Sequence, residues 1–539
     1  MLPSNFTQAY TAFVGLQQDV EAATLPTLWT IQYSFYIAVV LGGVGHFLRS
    51  ALQRRHAPPG PPRLPFLGNA LQVPRQFQFI QFNEWSKKYG PIFSLDVPGK
   101  HIVVLSTFKV AADILDRHSN IYNGRPRFIM SNEILSGGYF FPLVGDKDVW
   151  RRFRRAAHEG FSARAVEKYQ SILSEAASLA MLRNVRHPGG WEHNLEAFAA
   201  SSIFSSVYGW PALEPGSPHI QRIKSMVSRI TSVGTPGASL VDFFPVMKHL
   251  PTWMAKWKRE GLAWHEAESE VFKKFNADVA ERMAAGEEKI CFAAELMETQ
   301  VKHGFSEKGS AWFSAVMVAG GADTTAAAVV SFILAMIHWP EIMHKAQAEL
   351  DVVVGKERAP RFRDKENLPY IRAIIRETLR WRPPGPLAAP HTATEDSWYE
   401  GYFIPKGTVV LGNVWAMNRD PSIYPDYDVF RPERFLDASE KTEIAPPHTH
   451  QMGHATYGFG RRTCVGMHFA DQALFIAIAT MLWAFDIQPP VDERGAVIMP
   501  SKDELVDSGL VVQPPPFDCR LVTRFPDVEA VLEAAVARD

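Results

Sequence analysis

Cysteine is scarce in this chain: Cys291, Cys464 and Cys519 stand far apart among 539 residues. No CxxC pair occurs, so a zinc knot is not indicated, and an odd, scattered set gives no disulfide framework. The bulk of the chain is therefore expected to face a reducing compartment. Net charge is scarce too, at a formal -1. A chain so nearly neutral has no global attraction for nucleic acid, and any electrostatic partner must be met by a local patch. Internal repeats are absent, as are low-complexity tracts beyond one proline run. With 46% hydrophobic and 21% charged residues, the chain can bury a sizeable core, and a disordered or collagen-like polymer is excluded.

What is present begins with residues 25–48, LPTLWTIQYSFYIAVVLGGVGHFL, an almost unbroken apolar run. As a helix at ~1.5 Å per residue it would be ~36 Å long, enough to cross a ~30 Å hydrocarbon layer with some tilt. Trp29, Tyr33 and Tyr36 sit toward one end, as interfacial aromatics do. Asp19 and Glu21 precede the run, and Arg49, Arg54, Arg55 and Arg63 follow it. The basic flank should stay cytosolic, which makes residues 1–24 a lumenal tail and places the rest of the chain in the cytosol. A cleaved signal peptide fits less well, because the run starts late and ends in basic residues rather than a small-residue cleavage site.

Residues 49–68 are basic and proline-rich, with Pro58-Pro59-Gly60-Pro61-Pro62-Arg63-Leu64-Pro65 at their centre. Prolines fix φ and remove donors, so this reads as a stiff extended hinge. Beyond it, residues 92–97 and 102–105 flank Pro98-Gly99-Lys100 and predict a β-hairpin. A second strand pair is expected at 398–404 and 408–411, around Pro405-Lys406-Gly407. Helical periodicity marks 166–182, 271–283, 311–339, 341–353, 370–381 and 467–485. The expectation is one large domain over residues 69–539, mainly α with a minor β-sheet subdomain.

Three segments carry the chemistry. The first is Tyr457-Gly458-Phe459-Gly460-Arg461-Arg462-Thr463-Cys464-Val465-Gly466, a glycine-rich loop with one thiol, two arginines and an apolar helix just after. A thiolate binds metal, and nearby cations and helix N-terminal N–H groups favour its charge. Glycines let backbone approach a flat cofactor where side chains would not fit. A buried free cysteine is often only a small hydrophobe, but core packing does not call for paired arginines and three glycines around it. The second segment is Gly320-Gly321-Ala322-Asp323-Thr324-Thr325 within an apolar helix. Two mid-helix glycines cost ~1 kcal/mol each relative to alanine. They suit either close helix packing or room for a ligand. The third is Glu377-Thr378-Leu379-Arg380, whose i, i+3 spacing places a carboxylate and a guanidinium on one helical face.

The first segment resembles the haem-binding loop of the cytochrome P-450 family, FxxGxRxCxG, with Tyr457 in place of the phenylalanine. The resemblance implies the cytochrome P-450 fold behind an N-terminal transmembrane helix, and haem b (iron-protoporphyrin IX) as cofactor. Cys464 is then the axial ligand to the haem iron, with Tyr457 and Gly466 flanking it, and Arg462 pairs with a propionate. The second segment matches the family's oxygen-activating helix, so Asp323 and Thr324 become the catalytic proton relay. Glu377, Arg380 and Arg434 correspond to a buried three-way ion pairing. Trp150-Arg151-Arg152-Phe153-Arg154 resembles the WxxxR over the haem edge, which makes Trp150 and Arg154 propionate partners, and His391 occupies a further propionate position. Trp415-Ala416-Met417-Asn418-Arg419-Asp420-Pro421 also follows the family run. Residues 124–143, with Phe128, Ile129, Met130, Tyr139, Phe140 and Phe141, match the variable pocket wall. So do Leu387-Ala388-Ala389 and Ser508-Gly509-Leu510. The resemblance is closest in kind to fungal microsomal members.

The implied activity is insertion of one atom of O2 into a lipophilic substrate (a terpenoid, steroid, polyketide or polycyclic aromatic) in secondary or xenobiotic metabolism. A haem-thiolate isomerase or dehydratase acting on peroxides is the alternative within the fold, and a non-catalytic haem sensor or carrier is the alternative outside catalysis. The chain has no length for a fused flavin domain, so electrons must come from NADPH through a separate flavoprotein reductase, with cytochrome b5 as an optional second donor. Arg151, Arg152, Arg154, Arg155 and Arg461 would dock it. The location implied is the endoplasmic reticulum membrane, single-pass, with no nucleic-acid partner. Protease added to sealed microsomes should degrade the catalytic domain without detergent. Asn5-Phe6-Thr7 is a glycosylation acceptor usable only if the N-terminal tail is lumenal, and such triplets are common by chance. Protection of the catalytic domain would reverse the topology.

Overall fold

A computed structural model of the protein describes residue 37 and residues 56–537, except 66, 146, 235–237 and 288–290. Apart from Ile37, the expected anchor lies outside the described residues, as does Asn5. Two compact units are separated: Met1–Pro58 with Trp398–Ile404, and Pro59–Ser397 with Pro405–Asp539. In the first unit, the Phe403 N–H donates to the His56 carbonyl at 2.6 Å, and Trp398 packs edge-on against His56.

The second unit is mainly helical, with a small sheet, as the sequence predicts. Its centre is the helix Glu307–His338, buried on nearly every face along most of its length. A helix that is apolar all round has no solvent face and must be enclosed by protein or lipid. This helix and Met467–Ala484 are both long and apolar enough to span a membrane, yet 72% of each apolar window is buried inside the protein. Their apolarity therefore serves the core. Ser306 caps the first by accepting from the Gly309 N–H, and Pro340 opens the next helix, Pro340–Val353, where its missing N–H costs nothing. Helices Trp191–Tyr208, Lys256–Ala284, Phe292–His303 and Met467–Ala484 pack around the central one.

The four-stranded sheet runs Ile92–Val97, Lys100–Leu105, Val409–Gly412, His391–Thr392. The predicted hairpin is present, with Ile92 opposite Leu105 and Val97 opposite Lys100. The second predicted strand pair is not. Ser397–Tyr399 pairs with Tyr402–Ile404 through Glu400 and Gly401, both at positive φ (47° and 82°), the two-residue reversal whose twist suits a hairpin. Val409–Gly412 instead lies parallel to Lys100–Leu105. Its Val409 side chain joins the apolar cluster of Phe82, Phe93, Leu95, Ile102 and Val104. Burial beside that cluster outweighed the local turn signal of Pro405-Lys406-Gly407.

The proline run is more than a spacer. The Ser94 N–H donates to the Pro59 carbonyl at 2.7 Å, and Arg63 bonds Asp96 at 2.6 Å and Ser94 at 2.8 Å. A Cβ at Gly60 would lie 2.0 Å from the Ser94 carbonyl oxygen, so close docking on the strand requires glycine. Helices Gln78–Tyr89, Trp191–Tyr208, Pro218–Gly234 and Phe292–His303 were not anticipated. Serine hydroxyls compete for backbone hydrogen bonds and are poor helix formers. In Trp191–Tyr208, Ser206 returns its hydroxyl to the Ser202 carbonyl at 2.7 Å, and burial keeps the segment helical.

The two mid-helix glycines have different reasons. A Cβ at Gly321 would meet Ile203 Cγ1 at 2.8 Å, whereas one at Gly320 would meet nothing within 4 Å. Gly321→Ala should therefore lower the thermal midpoint, because overpacking (~1–3 kcal/mol) exceeds the ~1 kcal/mol gain in helix propensity. Gly320→Ala should leave it level or raise it. Equal midpoints for the two variants would show that Ile203 does not set this contact.

Candidate active site

The site is built on one ion pair. Glu377 and Arg380, one turn apart on the helix Pro369–Trp381, are both 0% exposed. Arg380 donates to the two carboxylate oxygens at 2.6 and 2.7 Å, and the Arg431 N–H adds a third bond at 2.8 Å. Arg434 Nε stands farther off, at 3.6 Å, and its Nη2 donates to the Asp426 carbonyl at 2.6 Å. The expected three-way grouping is thus assembled, with Arg434 its loosest member. Arg380 also donates to the Asn418 carbonyl at 2.9 Å. Asn418 in turn bonds the Leu379 carbonyl, the Ala455 N–H and Thr456 Oγ1, which fixes where the cysteine loop starts.

The loop then folds onto itself and onto residues 115–123. The Cys464 N–H donates to the Tyr457 carbonyl at 2.8 Å. Gly460 has φ 62°, and a Cβ there would lie 2.0 Å from the Leu115 carbonyl oxygen, so only glycine fits. Its N–H donates to Asp116 Oδ1. Cys464 is exposed by area, yet enough protein surrounds it for burial to push its thiol up, against the Gly466 N–H and Arg154, which pull it down. The sulfur therefore fronts a cleft instead of packing in the core. Burial likewise raises the Tyr457 hydroxyl, which has no hydrogen-bond partner among the described residues.

Cations crowd this cleft. Arg462 donates to the Asn123 carbonyl at 2.8 Å and lies 4.2 Å from the Trp150 ring centre, while Arg154 donates to the Thr463 carbonyl at 2.6 Å. Sequence reading missed Arg125, which donates to the carbonyls of Ala389 and Pro390 at 2.8 Å. No carboxylate pairs with Arg125, Arg154 or Arg462 among the described residues. Burial, with Arg125 and Arg154 nearby, pushes Arg462 down to about 8, and burial pushes Arg125 down to about 10. His391 is buried, with Nδ1 2.7 Å from the Tyr122 carbonyl. Desolvation, Arg125 and Arg462 hold its pKa far below the usual 6.5. The charged form expected of His391 is thus disfavoured, and Arg125 is an added cation. One of two arginines in Asn-Gly-Arg-Pro-Arg, Arg125 gave no sequence signal beyond an ordinary surface charge.

On the central helix, Thr324 Oγ1 donates to the Gly320 carbonyl at 2.7 Å, and Asp323 is pushed up by burial. Ser508 and Leu510 line a cavity with Asp323. The apolar residues expected on the other pocket wall are largely engaged elsewhere. Ile129 packs with Ile134 and Val241, and Phe141 meets Phe153 at a tilt and Phe313 edge-on. The arginine cluster also divides: Arg154 turns inward and Arg152 is tied to the Gly304 carbonyl, so Arg151, Arg155 and Arg461 are its exposed members.

The family described as Cytochrome P450 matches residues 58–520. The chain belongs to the cytochrome P450 family. Among relatives, a Cytochrome P450 monooxygenase 253 of Postia placenta is 51% identical over 88% of this chain and 90% of its own. A cytochrome P450 monooxygenase of Armillaria gallica is 42% identical over 92% and 95%. A zebra fish cytochrome P450 solved with progesterone shares the fold, with TM-score 0.68 at 24% identity, covering 83% of this chain and 99% of that one.

Membership makes this P450 an oxidoreductase of the monooxygenase class and implies a haem-thiolate cofactor. The residues present fit that group. Uncompensated guanidiniums suit two propionates, the accessible Cys464 sulfur suits a soft metal, and the open side of Gly320 leaves space along the helix. Glu377→Gln should strand the Arg380 charge in the core, at ~3–5 kcal/mol. Soluble yield and retained haem should both fall. Normal yield with normal haem content would show that the pair does not support the loop.

Proposed function

We propose that this P450 is a membrane-anchored monooxygenase of the endoplasmic reticulum that oxygenates a lipophilic substrate with electrons from NADPH. Those electrons arrive through a separate flavoprotein reductase that docks against Arg151, Arg155 and Arg461. The observation that carries the reading is the meeting of an accessible Cys464 sulfur with arginines that lack carboxylate partners. Cys464 would hold the haem iron, and Arg125, Arg154, Arg462, Trp150 and His391 would hold the propionates. The apolar segment 25–48 with its basic flank supports the anchor. Ala322, Ala326, Leu510 and Val511 beside Asp323 support a lipophilic substrate of terpenoid, steroid, polyketide or polycyclic aromatic type, in secondary or xenobiotic metabolism.

Bound haem b supplies reductive activation of dioxygen, by which one oxygen atom enters the substrate and the other leaves as water. The chain's part is to manage protons and exclude water. Thr324 already donates its hydroxyl hydrogen to Gly320, which leaves Oγ1 free to accept from a proton-bearing water. Burial favours the protonated form of the Asp323 carboxyl, so it can act as the acid behind Thr324. Gly320 leaves room for a reactant beside that hydroxyl.

The test is product formed per NADPH consumed. Thr324→Ala should keep haem content and substrate binding, because alanine is the better helix former. It should divert electrons from product to hydrogen peroxide, with an organic peroxide restoring part of the activity. Cys464→Ser should abolish the thiolate signature of the reduced carbon monoxide difference spectrum. Unchanged coupling would remove Thr324 from the relay, and parent turnover of peroxides without NADPH would point to an isomerase.

A further inference from the structure

The helix Pro369–Trp381 ends among more buried positive charge than its one carboxylate can match. Arg380 is satisfied by Glu377, but Arg382 and Arg419 are buried beside it, at 6% and 5% exposure. Both reach the same acceptor. Arg419 Nη2 donates to the Trp381 carbonyl at 2.6 Å, and Arg382 Nη1 to that same oxygen at 3.4 Å. A carbonyl at a helix C-terminus attracts a cation, but two guanidiniums on one oxygen also repel each other. Arg382 Nη2 donates to the Lys502 carbonyl. Arg382 Nε and Arg419 Nη1 are then left buried, with no hydrogen-bond partner among the described residues.

Among the described residues no carboxylate hydrogen-bonds either guanidinium. Asp428 comes nearest, with Oδ1 3.8 Å from Arg419 Nε, but its side chain is 66% exposed and it leaves Nη1 unserved. Indole faces close in from other directions. The Trp415 ring centre lies 3.2 Å from Arg419 Cζ and 5.3 Å from Arg382 Cζ, and that of Trp381 lies 4.2 Å from Arg382 Cζ. Burial pushes Arg382 down to about 10. Burial, followed by Arg382 and Arg380, holds Arg419 far below the usual arginine range. Buried charged donors call for an acceptor that carries negative charge. Two free donors between aromatic walls also limit what it can be. A phosphate or sulfate would bring more acceptors than these donors satisfy, and a dianion costs more to desolvate. A monatomic, monovalent anion has neither drawback.

We propose that Arg382 and Arg419 form a halide site, in which a chloride ion accepts from Arg382 Nε and Arg419 Nη1 beside Trp381 and Trp415. The ion offsets the surplus charge one residue beyond the Glu377–Arg380 pair, so its binding stabilises the end of the helix that supports the cysteine loop. The site is separate from the arginines around Cys464, and it does not depend on which substrate is oxygenated.

The test is the thermal midpoint of the full-length, haem-loaded protein at fixed ionic strength, with sodium gluconate exchanged stepwise for sodium chloride. The midpoint should rise by several degrees and then level off, as binding to one site requires. Sodium bromide should do the same, and in a crystal its anomalous scattering should give a peak between the two guanidiniums. Arg382→Met and Arg419→Met should each have the same midpoint in chloride and in gluconate. Asp428→Asn, which removes the nearest carboxylate, should keep the chloride dependence. Equal midpoints for the parent in the two salts would overturn the site and leave both donors to water or to Asp428. A chloride shift that survives in both methionine variants would place the ion elsewhere and overturn it equally. Should both variants fail to fold, the bromide crystal decides: a peak between Arg382 and Arg419 upholds the site, and its absence refutes it.

Discussion

Everything near the cysteine hangs on the fully buried pairing of Glu377 with Arg380. Removing two charges from water costs several kcal/mol per ion, and attraction repays this only when the remaining donors and acceptors are also satisfied. Here the carboxylate receives two guanidinium bonds and the Arg431 N–H, and the guanidinium spends another donor on the Asn418 carbonyl. The pair is thus a junction between the helix Pro369–Trp381, the turn at Asn418 and the entry to the cysteine loop. Asn418 relays it, since its side chain bonds backbone on one side and the Ala455 N–H on the other. A loop with glycines at 458, 460 and 466 has little stiffness of its own. Its shape is imposed from behind.

The cleft in front of that loop is the electrostatic converse. The structure balances charge at Glu377 and leaves it unbalanced around Arg462, where Arg125 and Arg154 add like charge and carbonyl oxygens are the acceptors. Burial depresses all three guanidiniums, and at Arg462 the charges of Arg125 and Arg154 depress it further, which costs stability in the absence of an anion. It also means that a dianionic cofactor gains by entering, because it relieves repulsion the fold has already accepted. His391 belongs to the same balance, since burial, with Arg125 and Arg462 beside it, holds its pKa well below the usual value.

The central helix divides its tasks by face. A Cβ at Gly321 would meet Ile203, Thr324 bonds back to the Gly320 carbonyl beside open space, and Asp323 lines a cavity with Ser508 and Leu510. At about 100° per residue, consecutive positions can serve packing, catalysis and solvent access without interference.

Contiguous motifs were legible in the sequence because their chemistry is local. The cysteine loop, the Gly320–Thr325 run and the i, i+3 pair of Glu377 and Arg380 each declare themselves within one or two helical turns. The hairpin at 92–105 and the long apolar helices followed from periodicity for the same reason. Arg125 gave no such signal, because it is an ordinary polar residue until the chain brings it to distant partners. The pairing of Val409–Gly412 with Lys100–Leu105, and not with its sequence neighbour, was likewise settled by an apolar cluster assembled from remote segments. The sequence by itself determined the family, the cysteine loop and the apolar central helix, since those are written in neighbouring residues. Tertiary structure alone decided which arginines are left without counter-charge and what lies behind Asp323, because burial and long-range electrostatics exist only once the chain has folded.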